Sequence, residues 1–240
     1  MSPHPQSLRN AVSAICPDIY ERVNTRKAGK TIQEQQLWWD LSSCVLSSQV
    51  PYTLATAAAD RIGDSGILST YSNKDTEQVR CVLSELLHSP LKVGNKTRKY
   101  RFPDLRAKQL ADAWTVIQEE GGSLKRIIDT KSADPWALRK WLVSRIPGLG
   151  PKQASMFLRN VGASYDLAVL DRHVLNYMSA IGLANKALHS IGSLSAYRKQ
   201  EHVLEKHAEE FGYPVGMVDW AIWIVMRAVG NTKSKEMAWA

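Results

Sequence analysis

The 240-residue chain is short of several things, and each shortage excludes something. It has three cysteines, Cys16, Cys44 and Cys81, well separated and with no CxxC pair, so neither a disulfide framework nor a cysteine-based zinc site is expected. They read instead as small buried hydrophobes in a reducing compartment. No window approaches the roughly 20 uninterrupted apolar residues of a membrane-spanning helix. The opening MSPHPQSLRN has no apolar run for a secretory signal, so membrane and export functions are not expected. Strand-like alternation is nearly absent, and there is no internal repeat. Acidic residues are also in deficit, 23 Asp+Glu against 31 Lys+Arg, a formal net charge of +8. Such a surplus favours a polyanionic partner without proving one.

What is present is helix. LWWDLSSCVLSSQV (37–50) is an apolar segment of helical length, and Pro51 can open a second helix through TLATAAAD toward Gly63. Val79, Val82, Leu83, Leu86 and Leu87 recur at three-and-four spacing before Pro90. Pro103 begins a helix closed by Gly121 and Gly122, and Asp134-Pro135 is a cap and first-turn pair for the next. Pro151 opens QASMFLRNV, Asp171 caps RHVLNYMSAI, and residues 195–211 mix charge with Val203, Leu204 and Phe211. VGMVDWAIWIVMRAV (215–229) is apolar on nearly every face, as expected of a helix in the centre of a bundle. The expected fold is all-α with roughly ten helices by these boundary signals. Residues 1–34 are expected as an N-terminal segment, 35–230 as the folded domain with a hairpin at 135–162, and 231–240 as a tail. The extreme ends, 1–10 and 231–240, look loose.

Two stretches carry chemistry. From Lys92 to Lys108, KVGNKTRKYRFPDLRAK holds seven basic residues and one acidic residue, with Tyr100 and Phe102 interleaved. It is either a solvated loop beside a helix start or a strip on which Lys96, Arg98, Lys99 and Arg101 meet phosphates; the rings could anchor core or stack on bases. The second stretch is IPGLGPKQASMFLRNVGASYDLAVLDRHV (146–174), a helix, a tight Pro147-Gly148-Leu149-Gly150 turn, and a new helix at Pro151. Glycines there let the backbone turn and approach another surface without a Cβ, and the first amides of the following helix suit a phosphate. The same pattern could simply connect two packed helices.

Lys152 and Asp171 separate these readings. Lys152 lies in the first turn of its helix, where the dipole disfavours a cation and so favours a neutral amine, a competent nucleophile. Asp171 follows the apolar run 167–170 and precedes a helix, so it is a natural N-cap, and a carboxylate at a helix N-terminus is favoured as the anion that could stabilise a cationic sugar.

IPGLGPKQASMFLRNVG followed by LAVLDRHV resembles the helix-hairpin-helix DNA glycosylase superfamily, and within it the archaeal-type 8-oxoguanine DNA glycosylase/AP lyases. SSCVLSSQ (42–49), YRFPDLRAKQL (100–110) and PVGMVDWAIWIV (214–225) extend the resemblance to about residues 35–230. It implies two helical lobes with an active site in the cleft between them. It implies that Lys152 attacks C1′ of a damaged nucleotide, expels the base and forms a Schiff base whose β-elimination nicks the strand. Asp171 would stabilise the oxocarbenium charge and help orient or deprotonate the lysine. The amides around Gly148 and Gly150 would anchor a phosphate, Gln49 would fill the gap left by a flipped base, and Asp219 and Trp223 would line the base pocket. An all-apolar helix makes Trp220 a core residue before a pocket wall, and His173 reads as a capping or packing histidine. No cofactor and no metal are implied. The partner would be double-stranded DNA carrying a modified base, met by a monomer in the cytoplasm at the nucleoid.

Two departures stand out. Family members usually end shortly after the segment matching Trp223, with a terminal lysine in the base pocket, whereas this chain continues through NTKSKEMAWA; and Pro151 directly precedes the lysine. The first leaves the excised base open: 8-oxoguanine leads, with another oxidised or phage-type hypermodified base as the alternative. A non-catalytic DNA-binding module would have no need of both Lys152 and Asp171.

Overall fold

Eleven α-helices and one two-stranded sheet make up the described residues of this computed structural model. Those residues are 4–27, 32–69, 75–184 and 191–238, with side chains described except at 26–27 and 231–238. In chain order the elements are α1 (Pro5–Lys27), α2 (Glu34–Leu46), α3 (Tyr52–Ser65), α4 (Thr76–His88), β1 (Leu91–Val93), β2 (Lys96–Arg98) and α5 (Pro103–Glu119). Then follow α6 (Leu124–Lys131), α7 (Pro135–Arg145), α8 (Pro151–Asn160), α9 (Arg172–Ala180), α10 (Leu194–Glu209) and α11 (Val215–Ala238). They fall into two compact units, one of Thr31–Ala163 and one joining Met1–Lys30 to Ser164–Ala240.

The Thr31–Ala163 unit starts and stops its helices where polar side chains can take the exposed amides. Asp75 accepts from Gln78 N, and Asp134 accepts from Trp136 N and Ala137 N, both at 3.0 Å. The first turn of α6, a helix without a sequence signal strong enough to be expected, is capped from afar. Glu34 accepts from the amides of Leu124 at 2.7 Å and Lys125 at 3.0 Å and from the Ser123 hydroxyl at 2.9 Å. The basic strip, expected as loop or helix start, contains the sheet: β1 and β2 pair antiparallel with Leu91 opposite Arg98 and Val93 opposite Lys96. Gly94, at φ +57, supplies the positive φ that the first central position of such a two-residue turn needs.

The second unit corrects the reading of the ends. Residues 5–10 are not loose: α1 sends Leu8, Val12, Cys16, Ile19 and Val23, all 0–3% exposed, into one core with α9, α10 and α11. Their three-and-four spacing is a helical stripe; interrupted by Pro17 and completed by a cysteine, it does not stand out in the sequence. At roughly 1.5–3 kcal/mol for each large apolar side chain buried, the stripe makes α1 an integral part of its unit. Helix α11 fills the same core with Val215, Met217, Val218, Ala221, Ile222 and Val225. It continues through residues 231–238, which therefore extend a helix and do not begin a separate tail.

Candidate active site

The Thr31–Ala163 unit holds the hairpin. Helix α7 closes on its C-cap Ile146, Leu149 N–H donates to Ile146 O at 3.2 Å, and Gly150 is the N-cap of α8 with no side-chain cap hydrogen bond. The amides of the first turn of α8 are therefore presented without a capping group. Gly148 sits at φ +86, and a Cβ there would stand 2.8 Å from Gln109 Oε1 and 3.1 Å from Val45 Cγ1, so the turn packs directly on α5 and α2. Arg139, 1% exposed, ties the hairpin's two helices together: it donates to Ser155 Oγ at 3.0 Å and its guanidinium lies 4.5 Å from the centre of the Trp136 ring. Nothing in PWALRKWLVSR marks Arg139 as the buried basic residue.

Lys152 is half-buried in the first turn of α8. Its charge reaches the end of α2: burial pushes the Cys44 thiol far up, with Asp40 adding to the rise, while Lys152 and Arg159 oppose it. Cys44 is 0% exposed and Cys16 is buried too, as expected, but Cys81 is exposed on α4, whose apolar stripe of Val79, Leu83 and Leu87 leaves it on the other face.

Helix α2 stops at Leu46, four residues before the expected end, and this changes the setting of Gln49. It stands exposed in a turn at φ +61, the one non-glycine among the described residues with positive φ. The turn is held from α5 and the residue run before it. Tyr100 donates its hydroxyl to Leu46 O at 2.7 Å, and Arg106, 6% exposed, donates to Ser48 O at 3.1 Å and to Gln109 Oε1 at 2.6 Å. Burial pushes the Tyr100 phenol up to about 12, with Arg106 working against the rise. Tyr100 is thus a core anchor, and Arg106 leaves the basic strip to brace a turn. Lys108 pairs with Asp112 at 2.6 Å. Lys92, Lys96, Arg98, Lys99 and Arg101 remain exposed on and after the β-ribbon, with the Arg101 guanidinium 4.8 Å from the Phe102 ring centre.

In the other unit, Asp171 caps α9, its Oδ1 accepting from Val174 N at 2.9 Å. His173, in the same turn, stands nearly perpendicular to Trp223 at 6.4 Å between ring centres, and Arg227 lies 4.8 Å over that indole. Trp223 is half-buried; Trp220 packs under Arg22 at 5.7 Å, near α1. Asp219 is 0% exposed, and its Oδ2 accepts from Val169 N–H. The resemblance places Asp219 in the base pocket; one oxygen of its carboxylate is engaged by the backbone of the run before Asp171. Among the described residues no three or more His, Cys, Asp or Glu side chains gather closely enough to hold a metal ion. No helix among them is long and apolar enough to cross a membrane.

Comparison with known proteins points one way. The family model described as Ogg-HhH, 8-oxoguanine DNA glycosylase, matches residues 19–213. The 8-oxoguanine DNA glycosylase/AP lyase of Saccharolobus solfataricus is 30% identical over 205 residues, 85% of this chain and 89% of that protein. The protein of the same description from Thermotoga petrophila is 31% identical over 202 residues, covering 84% and 85%. Among solved structures, the 8-oxoguanine DNA glycosylase of Thermotoga maritima superposes with a TM-score of 0.66 at 28% identity, covering 91% of this chain and 93% of that one. The Methanocaldococcus jannaschii 8-oxoguanine glycosylase/lyase in complex with a 15mer DNA containing 8-oxoguanine gives 0.64 at 25% identity, covering 86% and 88%.

Proposed function

Because this chain belongs to the helix-hairpin-helix 8-oxoguanine DNA glycosylase family, we propose that it excises 8-oxoguanine from double-stranded DNA and then nicks the strand as an AP lyase. The observation that carries the reading is a half-buried lysine in the first turn of a helix whose N-terminal amides are uncapped, directly after a hairpin pinned at Gly148. Lys152 attacks C1′ with its amine lone pair. The C1′–N bond breaks, the base leaves with that electron pair and takes a proton, and ring opening leaves a Schiff base on the sugar. Loss of a C2′ proton then expels the 3′ phosphate, cutting the strand on the 3′ side of the lesion. Asp171 stabilises the oxocarbenium charge that develops as the base departs, an interaction stronger in the transition state than in the ground state.

The remaining residues bind and expose the base. Gly148 and Gly150 offer amides to a backbone phosphate, and Lys96, Arg98, Lys99 and Arg101 meet phosphates farther along the duplex. Base extrusion costs a few kcal/mol. Gln49, held outward on a braced turn, offsets part of that cost by filling the vacated space, and Trp223 gives the flipped base a stacking face. The protein works as a monomer on nucleoid DNA.

The test is a panel of duplexes carrying 8-oxoguanine, other oxidised bases and a hypermodified base, scored for released base and for strand cleavage. Release and nicking at 8-oxoguanine above the others supports the reading. Release of a different base alone would keep the chemistry and overturn the substrate, and binding without release of any base would overturn both.

A further inference from the structure

The residues that lead into Asp171, Ser164 to Leu170, belong to no helix and no sheet, so their backbone groups must find partners elsewhere. Three successive amides end on buried side chains. Ala168 N–H donates to Glu201 Oε1 at 2.7 Å, Val169 N–H to Asp219 Oδ2, and Leu170 N–H to the Tyr197 hydroxyl at 2.8 Å. That hydroxyl donates in turn to Ala168 O at 2.8 Å. Glu201 and Asp219 are 0% exposed and Tyr197 1%. Upstream, Gly216 N–H donates to Tyr165 O at 2.8 Å, and a Cβ on Gly216 would stand 2.8 and 2.9 Å from the carbonyl oxygens of Tyr165 and Leu167. Helices α10 and α11 thus grip this run almost residue by residue.

Packing alone does not call for this arrangement. Two carboxylates taken fully out of water are costly unless bonded, and neutral acceptors would meet the same amides at a lower cost of burial. What the carboxylates and the phenol supply is position: each fixes a backbone amide one to three residues before Asp171, in a segment that no sheet or helix would otherwise hold. We infer that Tyr197 and Glu201, with Asp219, are positioning residues for Asp171. The inference rests on the role of Asp171 proposed above. Glu201 Oε2 also lies 3.6 Å from the Arg198 guanidinium, whose closer partner is Glu205 at 2.5 Å, so this contact does not compete for the oxygen that holds Ala168.

A double-mutant cycle separates positioning from general stability. Single-turnover excision of 8-oxoguanine and duplex affinity are measured for wild type, Tyr197→Phe, Glu201→Leu, Glu201→Gln, Asp171→Asn, and Tyr197→Phe combined with Asp171→Asn. Tyr197→Phe and Glu201→Leu should slow excision on the order of 10- to 100-fold with duplex affinity unchanged. Glu201→Gln, which keeps an acceptor for Ala168 N–H, should recover most of the rate. In the Asp171→Asn background, Tyr197→Phe should cost nothing further. Full additivity in the double variant, or a parallel loss of affinity and thermal stability in the single ones, would overturn the inference. Should Asp171→Asn by itself excise at the wild-type rate, the failure lies in the role given to Asp171, and the positioning role falls with it.

Discussion

At the scale of single residues, Trp223 makes the clearest prediction. Its indole is half-buried, set nearly perpendicular to His173 and covered by Arg227, so removing it opens a surface without emptying the core. Trp223→Ala should impair excision of 8-oxoguanine while sparing cleavage at a ready-made abasic site, which needs the amine of Lys152 but no base pocket. Paired assays on the two substrates, with a melting curve beside them, check this; a parallel fall in both activities and in melting temperature would make Trp223 a core residue. Asp219 gives no such clean readout, because its Oδ2 accepts from Val169 N–H and removing the carboxylate would also strip a backbone amide of its partner. Sequence can place Asp219 and Trp223 on one helix face, since four residues separate them. It cannot show which partner the carboxylate finds, because the amide that satisfies it lies 50 positions away. For the same reason Tyr197 and Glu201 are invisible in the sequence: on α10 they sit in a charge-rich, amphipathic pattern, and nothing local announces that both are buried.

At the scale of elements, the hairpin, the β-ribbon and α10 each have a separate test. The Gly148 turn needs positive φ and has no room for a Cβ, since Gln109 is itself tied to Arg106. Gly148→Ala should therefore cost roughly 1–2 kcal/mol from the backbone conformation alone, read as a lower melting temperature, together with weaker duplex binding. The ribbon carries its cations exposed, so neutralising Lys96 and Arg98 should weaken binding to damaged and undamaged duplexes alike. The slope of log affinity against log salt should flatten by about 0.9 for each phosphate that is no longer neutralised, and an unchanged slope would return the ribbon to a solvated surface. On α10, burial holds His207 below its ordinary 6.5, with the Glu210 carboxylate 3.3 Å away only partly opposing. The unfolded chain then takes up a proton as pH falls through about 6.5 while the folded one resists. Stability present above that pH is lost on acidification, and melts at pH 7.5 and 5.5 should differ more for wild type than for His207→Gln. Helix caps and proline starts are the legible part of these elements, because Asp134 and Asp171 act on amides within three residues. The true end of α2 is not legible, because no glycine or proline stands between Leu46 and Pro51 to mark it, while Tyr100 and Arg106, both distant in sequence, capture the carbonyls of Leu46 and Ser48.

At the scale of the whole molecule, composition places the chain among basic helical proteins, and the segment around the hairpin places it in its family. Composition cannot show that the chain returns to its own beginning, with α1 sharing a core with α9, α10 and α11. That pairing joins a stripe near residue 12 to helices beyond residue 170, an association that no window of sequence contains. It makes α1 a determinant of the unit that carries Asp171, although α1 itself supplies no site residue. The central claim for the molecule is that one amine, that of Lys152, performs both base displacement and strand cleavage through a covalent link to the sugar. Borohydride reduction during turnover tests it most directly, because it converts the Schiff base into a stable protein–DNA adduct. Wild-type protein with an 8-oxoguanine duplex should give that adduct, and Lys152→Gln, with duplex binding retained, should give none; an equal yield of adduct from the variant would contradict the account.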